Sequence, residues 1–305
     1  MRKFKWWLRA QGQKFFPKVT LAALANRTWV LEPEVALVGL LSRKKGVAID
    51  AGVNKGVYLY HLSRHYRSVI GFEPLPVLAS YLAKAAPANA IVHSLALSDE
   101  AGTATLRLPR GYNELGSLEA HTAETWTTSE PVEEHRVELR SLDSFKLADV
   151  ALLKIDVEGH EMAVLKGATE TLQRCKPTIL VEVEERHRSG GVALIQTFLE
   201  NLGFSGYFLD GLMLRPIRDF DCERDQNMAS LSHSVKVARY INNFIYFDRR
   251  EAPERVAVIT QALQGTSALE LGAALQPGHT VTARERLGGS VRVARDMLVP
   301  FDRAA

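Results

Sequence analysis

The stretch Val47-Ala48-Ile49-Asp50-Ala51-Gly52-Val53-Asn54-Lys55-Gly56, read together with Glu73, constrains the fold more than any other part of the chain. A short apolar run ends in a carboxylate, turns through glycines and enters a helical pattern from Val57 to Arg64. A second apolar run, Ser68 to Phe72, then ends at Glu73. Strand, glycine loop, helix and strand in that order form the nucleotide-binding half of a doubly wound α/β sheet. Glycine lets the backbone bend sharply and lets a ligand approach without a Cβ in the way. Glu73 follows the loop by about 20 residues, the usual place for an acidic group that accepts ribose hydroxyls.

Asp50 decides which ligand suits the loop. Dinucleotide loops read G-x-G-x-x-G and hold a pyrophosphate on backbone amides at a helix N-terminus. Here the spacing is Gly52-x-x-x-Gly56, with a carboxylate two residues ahead of the first glycine. A fixed negative charge repels pyrophosphate and suits a ligand with cationic groups and no phosphate, such as S-adenosylmethionine. Taken singly, Asp50 could be a strand-end helix cap and Glu73 a solvated carboxylate before Pro74. Their appearance at the ends of two successive strands favours ligand roles for both. A nicotinamide-dependent sugar oxidoreductase and a non-catalytic cofactor-binding protein stay open as rival classes.

The 305 residues accommodate one substantial α/β unit with extensions. Helical patterns at Val77–Ala86, His160–Arg174 and Val192–Leu202 alternate with extended ones. The extended segments are Ala90–Leu97, Thr103–Leu108, Val132–Leu142, Ala151–Ile155, Thr178–Glu184, Ser205–Leu209, Leu212–Pro216 and Asn243–Phe247. This alternation predicts a mainly parallel, doubly wound sheet covered on both faces, spanning residues 46–250. Residues 109–131 lack periodicity and read as a lid or substrate loop. Residues 251–305 read as an appendage without an assigned role. Cys175 and Cys222 are far apart, which suits a reducing cytoplasm rather than a disulfide framework.

The N-terminal extension, residues 1–45, opens with seven cations and no acidic residue before Glu32. Phe4, Trp6, Trp7, Phe15 and Phe16 are interleaved with the cations. The expectation favoured here is a helical extension that packs its aromatics on the domain. The alternative is peripheral contact of residues 1–30 with anionic lipid at the inner membrane face. A net charge of +3 is too small to argue for nucleic acid.

Ligands of open α/β sheets sit beyond the carboxyl ends of the strands. Asp50, Glu73 and Asp156 end strands there, and Glu182 and Glu184 lie in the next one. Lys154 and Glu182 interrupt apolar strands, so the expectation is either a salt bridge between them or a substrate role.

Several segments together resemble the FkbM-type methyltransferases. They are Asp50-Ala-Gly-Val-Asn-Lys-Gly56, Phe72-Glu73-Pro74, Ala96-Leu97-Ser98-Asp99, and Leu153-Lys154-Ile155-Asp156-Val157-Glu158-Gly159-His160-Glu161. Leu165-Lys166-Gly167-Ala168 and Pro177-Thr-Ile-Leu-Val-Glu182 also match, so the resemblance spans roughly residues 46–210. It implies a Rossmann-like, seven-stranded class I methyltransferase sheet, S-adenosylmethionine as cofactor, and methylation of a hydroxyl oxygen on a sugar or secondary metabolite. By position it implies that Asp50, Gly52, Asn54 and Gly56 surround the methionine end, Glu73 holds the ribose, and Leu95 and Ala96 flank adenine. A hydroxyl acceptor calls for a base, for which Asp156 ranks first, His160 second and Glu158 third. Glu161 reads as a complement to a helix N-terminus. No metal ligand set is assigned, although Asp156, Glu158, His160 and Glu182 form an oxygen-rich group that suits a hard cation. Neither a cysteine nucleophile after proline nor a Pro-Pro-aromatic run is present, which speaks against nucleic-acid bases as acceptors.

Overall fold

The computed structural model describes residues 12–28, 33–110, 115–120, 130–211, 213–227 and 240–265. Two helices, α1 (Pro17–Thr28) and α2 (Pro33–Leu37), lead into β1 (Val47–Ala51), α3 (Val57–Ser63), β2 (Ser68–Phe72), α4 (Pro76–Ala85) and β3 (Ala90–His93). A small layer follows, β4 (Ala96–Leu97), β5 (Gly102–Pro109) and β6 (Val132–Arg140), ahead of β7 (Val150–Ile155). The second half runs α5 (Glu161–Lys166), α6 (Thr169–Cys175), β8 (Thr178–Glu182), α7 (Gly191–Asn201), β9 (Phe204–Asp210) and β10 (Met213–Pro216). It closes with α8 (Cys222–Asp225), β11 (Asn243–Asp248) and α9 (Ala252–Gly265).

The main sheet has the order β10-β9-β11-β8-β7-β1-β2-β3. Its parallel half is β8, β7, β1, β2 and β3, and the other three strands pair antiparallel. The sheet therefore has eight strands rather than seven. The additional one is β10, folded back on β9 through Gly211, whose φ of +61° suits a tight turn. Arg215 and Pro216 on that edge strand discourage further pairing.

Every residue of β7 is buried, as a central parallel strand requires. Neighbouring positions supply opposite faces: Ile49 and Leu153 join one core cluster, Ala48 and Leu152 the other. The second cluster also takes in Val35, Val38 and Leu41 ahead of β1 and Ala252, Ile259 and Leu263 of α9. The packed unit thus draws on residues from both sides of the 46–250 span. Residues 266–305 and Leu212 lie outside the described residues.

Two predicted elements are divided. The extended run Ala90–Leu97 becomes β3 in the main sheet and β4, which pairs with β6. The helix expected over His160–Arg174 breaks into α5 and α6 at Gly167. A Cβ on Gly167 would stand 1.9 Å from the Ser98 carbonyl oxygen, so the chain passes too close there for a side chain. Asp143 then accepts hydrogen bonds from the amides of Glu170 and Thr171, at 2.9 and 2.8 Å, and starts α6 afresh. Among the described residues, no helix is long and apolar enough to cross a membrane.

Candidate functional site

The loop between β1 and α3 is shaped by left-handed residues at Gly52, Asn54 and Gly56, with φ of +79°, +49° and +86°. Gly52 also lies against the next strand end: a Cβ there would stand 1.8 Å from the Asp156 carbonyl oxygen. The Asp156 amide donates to the Ala51 carbonyl at 3.0 Å, which ties the two strand ends together. The sequence therefore brings Asp50 and Asp156 to one edge, as the open-sheet rule anticipates.

Glu73 braces this loop. Its carboxylate accepts the Asn54 amide at 2.7 Å and the Leu75 amide at 2.8 Å. Burial pushes the Glu73 carboxyl up to about 7, against the pull of those two amides. Burial likewise raises Asp50 to about 6, with Lys154 opposing and Asp156 reinforcing the rise. Neither Asp50 oxygen reaches hydrogen-bond geometry with a protein group, and the buried Asn54 Oδ1 also accepts no hydrogen bond.

Lys154 pairs with residues other than the one expected. Its ammonium lies 3.1 Å from Asp156 Oδ2, 3.1 Å from the Gly52 carbonyl oxygen and 3.5 Å from Asp50 Oδ1. It also sits over the Tyr58 ring at 5.0 Å. The register explains the difference from the expected Glu182 pair: Lys154 stands beside Asp50 on β1 and Leu180 on β8. Glu182, two residues further along β8, instead accepts from Asn242 at 2.5 Å.

The other expected bases occupy distinct surroundings. His160 stands just ahead of α5 without a capping hydrogen bond from its side chain, and both ring nitrogens are engaged elsewhere, Nδ1 2.7 Å from Glu119 Oε1 and Nε2 3.0 Å from Ser98 Oγ. Glu119 belongs to the segment read as a lid, and sequence reasoning did not single it out. Ser117 of that segment donates to the Glu158 carbonyl at 2.5 Å, so two contacts fasten residues 115–120 over the Asp156–His160 turn. Residues 111–114 and 121–129 of the lid lie outside the described residues.

Glu158 adopts φ +49° and turns toward His187 Nε2, 3.3 Å away. Burial first, then Asp156 and Glu184, raises the Glu158 carboxyl well above the usual range. Glu161 accepts the Gly159 amide at 2.7 Å and is raised by burial to about 7. Glu184 is lowered on balance: burial raises it, but the paired bonds from Arg186 and the Tyr240 hydroxyl outweigh that. Asp156, Glu158, Glu161, Glu182, Glu184 and His187 together line one shallow, closely packed depression. Within it Glu158, Glu184 and His187 offer ligand atoms within 4.8 Å of one another. Of the oxygen-rich group read from sequence, Glu158 alone belongs to that convergence; Glu184 and His187 are brought there by tertiary structure. Leu95 and Ala96 are both buried, Leu95 in the main core cluster and Ala96 at the start of β4.

The Methyltransferase FkbM domain matches residues 50–205, just over half of the chain. "Methyltransferase 1" of Beauveria bassiana (strain ARSEF 2860) is 27% identical over 180 residues, covering 52% of this chain and 71% of the relative. "Methyltransferase sdnD" of Sordaria araneosa is 28% identical over 189 residues, covering 51% and 72%. The crystal structure of a methyltransferase FkbM from Methylobacillus flagellatus KT aligns with a TM-score of 0.41 at 15% identity. That alignment covers 67% of this chain and 43% of the other. The domain match spans the glycine loop, Glu73 and the Asp156–Glu161 turn described above, and the chain belongs to the FkbM methyltransferase family.

Proposed function

We propose that this protein transfers a methyl group from S-adenosylmethionine to a hydroxyl oxygen of a carbohydrate, in a polysaccharide, a glycolipid or a sugar-bearing secondary metabolite. The family implies the cofactor, and the loop fits it. The buried Asp50 carboxylate and Asn54 Oδ1, both without a hydrogen bond, suit a cationic ligand that brings donors. A Cβ at Gly52 would collide with the Asp156 carbonyl and one at Gly56 with Leu82 and Leu21, so packing of the loop itself demands glycine at both positions. In this reading Asp50, Gly52, Asn54 and Gly56 hold the methionine end, Glu73 the ribose, and Leu95 and Ala96 the adenine. When bound, S-adenosylmethionine supplies an electrophilic methyl group on a sulfonium.

The observation that supports the reading is the gathering of five carboxylates, Asp156 among them, and one histidine, without a Phe, Tyr or Trp among the residues that line the depression. Carboxylates accept hydrogen bonds from vicinal hydroxyls, whereas a nucleobase would call for stacking surfaces. Asp156 receives the hydroxyl proton in this mechanism. Its side chain is 27% exposed and its Oδ2 lies 3.1 Å from the Lys154 ammonium. Glu158, whose carboxyl burial pushes well above the usual range, lies beside Asp156 and orients the acceptor. His160, with both nitrogens engaged, fastens the lid rather than taking the proton. Holding acceptor and methyl donor in line supplies up to about 7–11 kcal/mol of the barrier reduction.

The test is methyl transfer from labelled S-adenosylmethionine to a panel of carbohydrates, phenols and amines, with Asp156→Asn beside wild type. The expected product is a sugar methyl ether. Asp156→Asn should cut turnover about 10²–10⁴-fold and leave affinity for S-adenosylhomocysteine nearly unchanged. Methylation of an amine, or full turnover by Asp156→Asn, overturns the reading.

A further inference from the structure

We infer that the outward face around the start of α1 is a docking surface for an anionic lipid bilayer. Phe15, Phe16 and Val19 are 62%, 66% and 67% exposed. Large exposed apolar side chains elsewhere among the described residues occur singly, at Val77, Ile91, Val132, Leu194 and Met213. Single ones are ordinary on a soluble surface, but three within five residues form a patch that asks for a partner.

The orientation of this face is fixed by the opposite one. Leu21 and Ala25 are fully buried. The Leu21 methyls lie beside Gly56 at the entrance of α3, and the Ala25 carbonyl is 3.2 Å from His61 Nε2. The Tyr81 hydroxyl donates to the Pro17 carbonyl at 3.4 Å. Rotating the helix to bury Phe16 and Val19 would lift Leu21 off the glycine loop. The outward face is therefore apolar because of how α1 is anchored. This differs from the expected packing of the aromatics on the domain, while Phe4, Trp6 and Trp7 lie outside the described residues.

Charge selects the occupant. Lys14 and Lys18 are exposed beside the patch, and Lys14 sits 5.5 Å from the centre of the Phe15 ring. Residues 1–31 contain seven cations and no acidic side chain. An anionic lipid surface complements both features: the rings enter the headgroup boundary while the ammonium groups meet phosphates and carboxylates. A second copy docking through the same patch across a two-fold axis would set these lysines against their equivalents.

The experiment is sedimentation of the full chain with vesicles of phosphatidylcholine alone or mixed with phosphatidylserine, at low and high salt. Binding to the mixed vesicles alone, weakened by salt, is expected. Phe15→Ser/Phe16→Ser and Lys14→Glu/Lys18→Glu should each lower that binding by at least about tenfold, with the thermal midpoint unchanged. Absence of binding to anionic vesicles at low salt overturns the inference, as does undiminished binding by both double variants. Light scattering covers the remaining case: a concentration-dependent dimer abolished by Phe15→Ser/Phe16→Ser, without vesicle binding, assigns the face to a second copy instead. None of these outcomes depends on the identity of the methyl acceptor.

Discussion

The Lys154 ammonium bridges two carboxylates from different strand ends, 3.1 Å from Asp156 Oδ2 and 3.5 Å from Asp50 Oδ1. Lys154 is nearly buried and Asp50 is wholly so. The pair therefore lies where desolvation makes an unpartnered charge costly. Lys154 also reaches the Gly52 carbonyl oxygen, so it couples the glycine loop to the turn that carries the proposed base.

Lys154→Met should destabilise the protein by about 3–5 kcal/mol at neutral pH, because Asp50 and Asp156 are left facing each other without a cation. The loss should shrink toward pH 5, where Asp50 takes up a proton. In the double variant with Asp50→Asn most of the stability should return. Urea unfolding of all four members of this cycle measures the coupling, and simple additivity would show that the pair does not interact.

Stability of the ligand-free protein should fall as pH rises toward neutrality. Burial lifts Asp50 from 3.8 to about 6, and Glu73 and Glu161 from 4.5 to about 7. In that window the folded state binds more protons than the unfolded chain, so stability is greatest below it and is lost through it. Glu184, held low by Arg186 and Tyr240, runs the opposite way and costs stability only at more acidic pH. Each raised group contributes on the order of 1–3 kcal/mol to the decline. Denaturant midpoints from pH 4.5 to 7.5 check the sign, and a profile that rises throughout would contradict it.

A cationic cofactor favours the ionised form of Asp50, so its binding below about pH 6 should release protons. Calorimetry of S-adenosylmethionine in two buffers of different ionisation enthalpy reads this directly. Asp50→Asn should abolish the buffer dependence and weaken binding.

Glu73→Gln should lower cofactor affinity about 10–100-fold, as expected when charged hydrogen bonds worth about 1.5–3 kcal/mol are weakened. Part of this loss comes from the loop itself, because the Glu73 carboxylate holds the Asn54 and Leu75 amides. Hydrogen exchange at Asn54 and Leu75 should therefore quicken in the variant even without cofactor. Unchanged exchange would confine Glu73 to ligand contact.

His160→Ala should free the lid, since Glu119 then loses its partner in the Asp156–His160 turn. Exchange of amides in residues 115–120 should rise about tenfold or more, with global stability less affected. Equal protection in variant and wild type would mean that Ser117 alone holds the segment.

The strand ends were legible because a buried parallel strand tolerates a carboxylate only where it leaves the sheet, which marks Asp50, Glu73 and Asp156. Pairings between distant strands were not. Lys154 met Asp50 rather than Glu182 because register, which a single sequence does not encode locally, sets neighbours across β1, β7 and β8. Gly167 looked like an interior helix residue, since only the passage of Ser98 reveals why the helix must break there. Glu119 sits in a segment without periodicity, and Glu184 and His187 converge on Glu158 only once β8 lies beside β7. The outward turn of Phe15 and Phe16 followed from Leu21 seating on Gly56, a contact between distant parts of the chain that local periodicity does not report.

Strand β11 is threaded between β8 and β9, although it follows both in the chain. β9 and β10 therefore cannot join the parallel half until residues 243–248 have been synthesised. Until then β8 presents an open edge whose apolar residues Ile179, Leu180 and Val181 await Tyr246, Ile245 and Phe244. A ribosome releasing this chain vectorially must deliver the chain as far as β11 before the sheet closes. Chains cut off at residue 205, where the family match ends, would leave that edge bare and should accumulate as aggregates rather than as a smaller working enzyme.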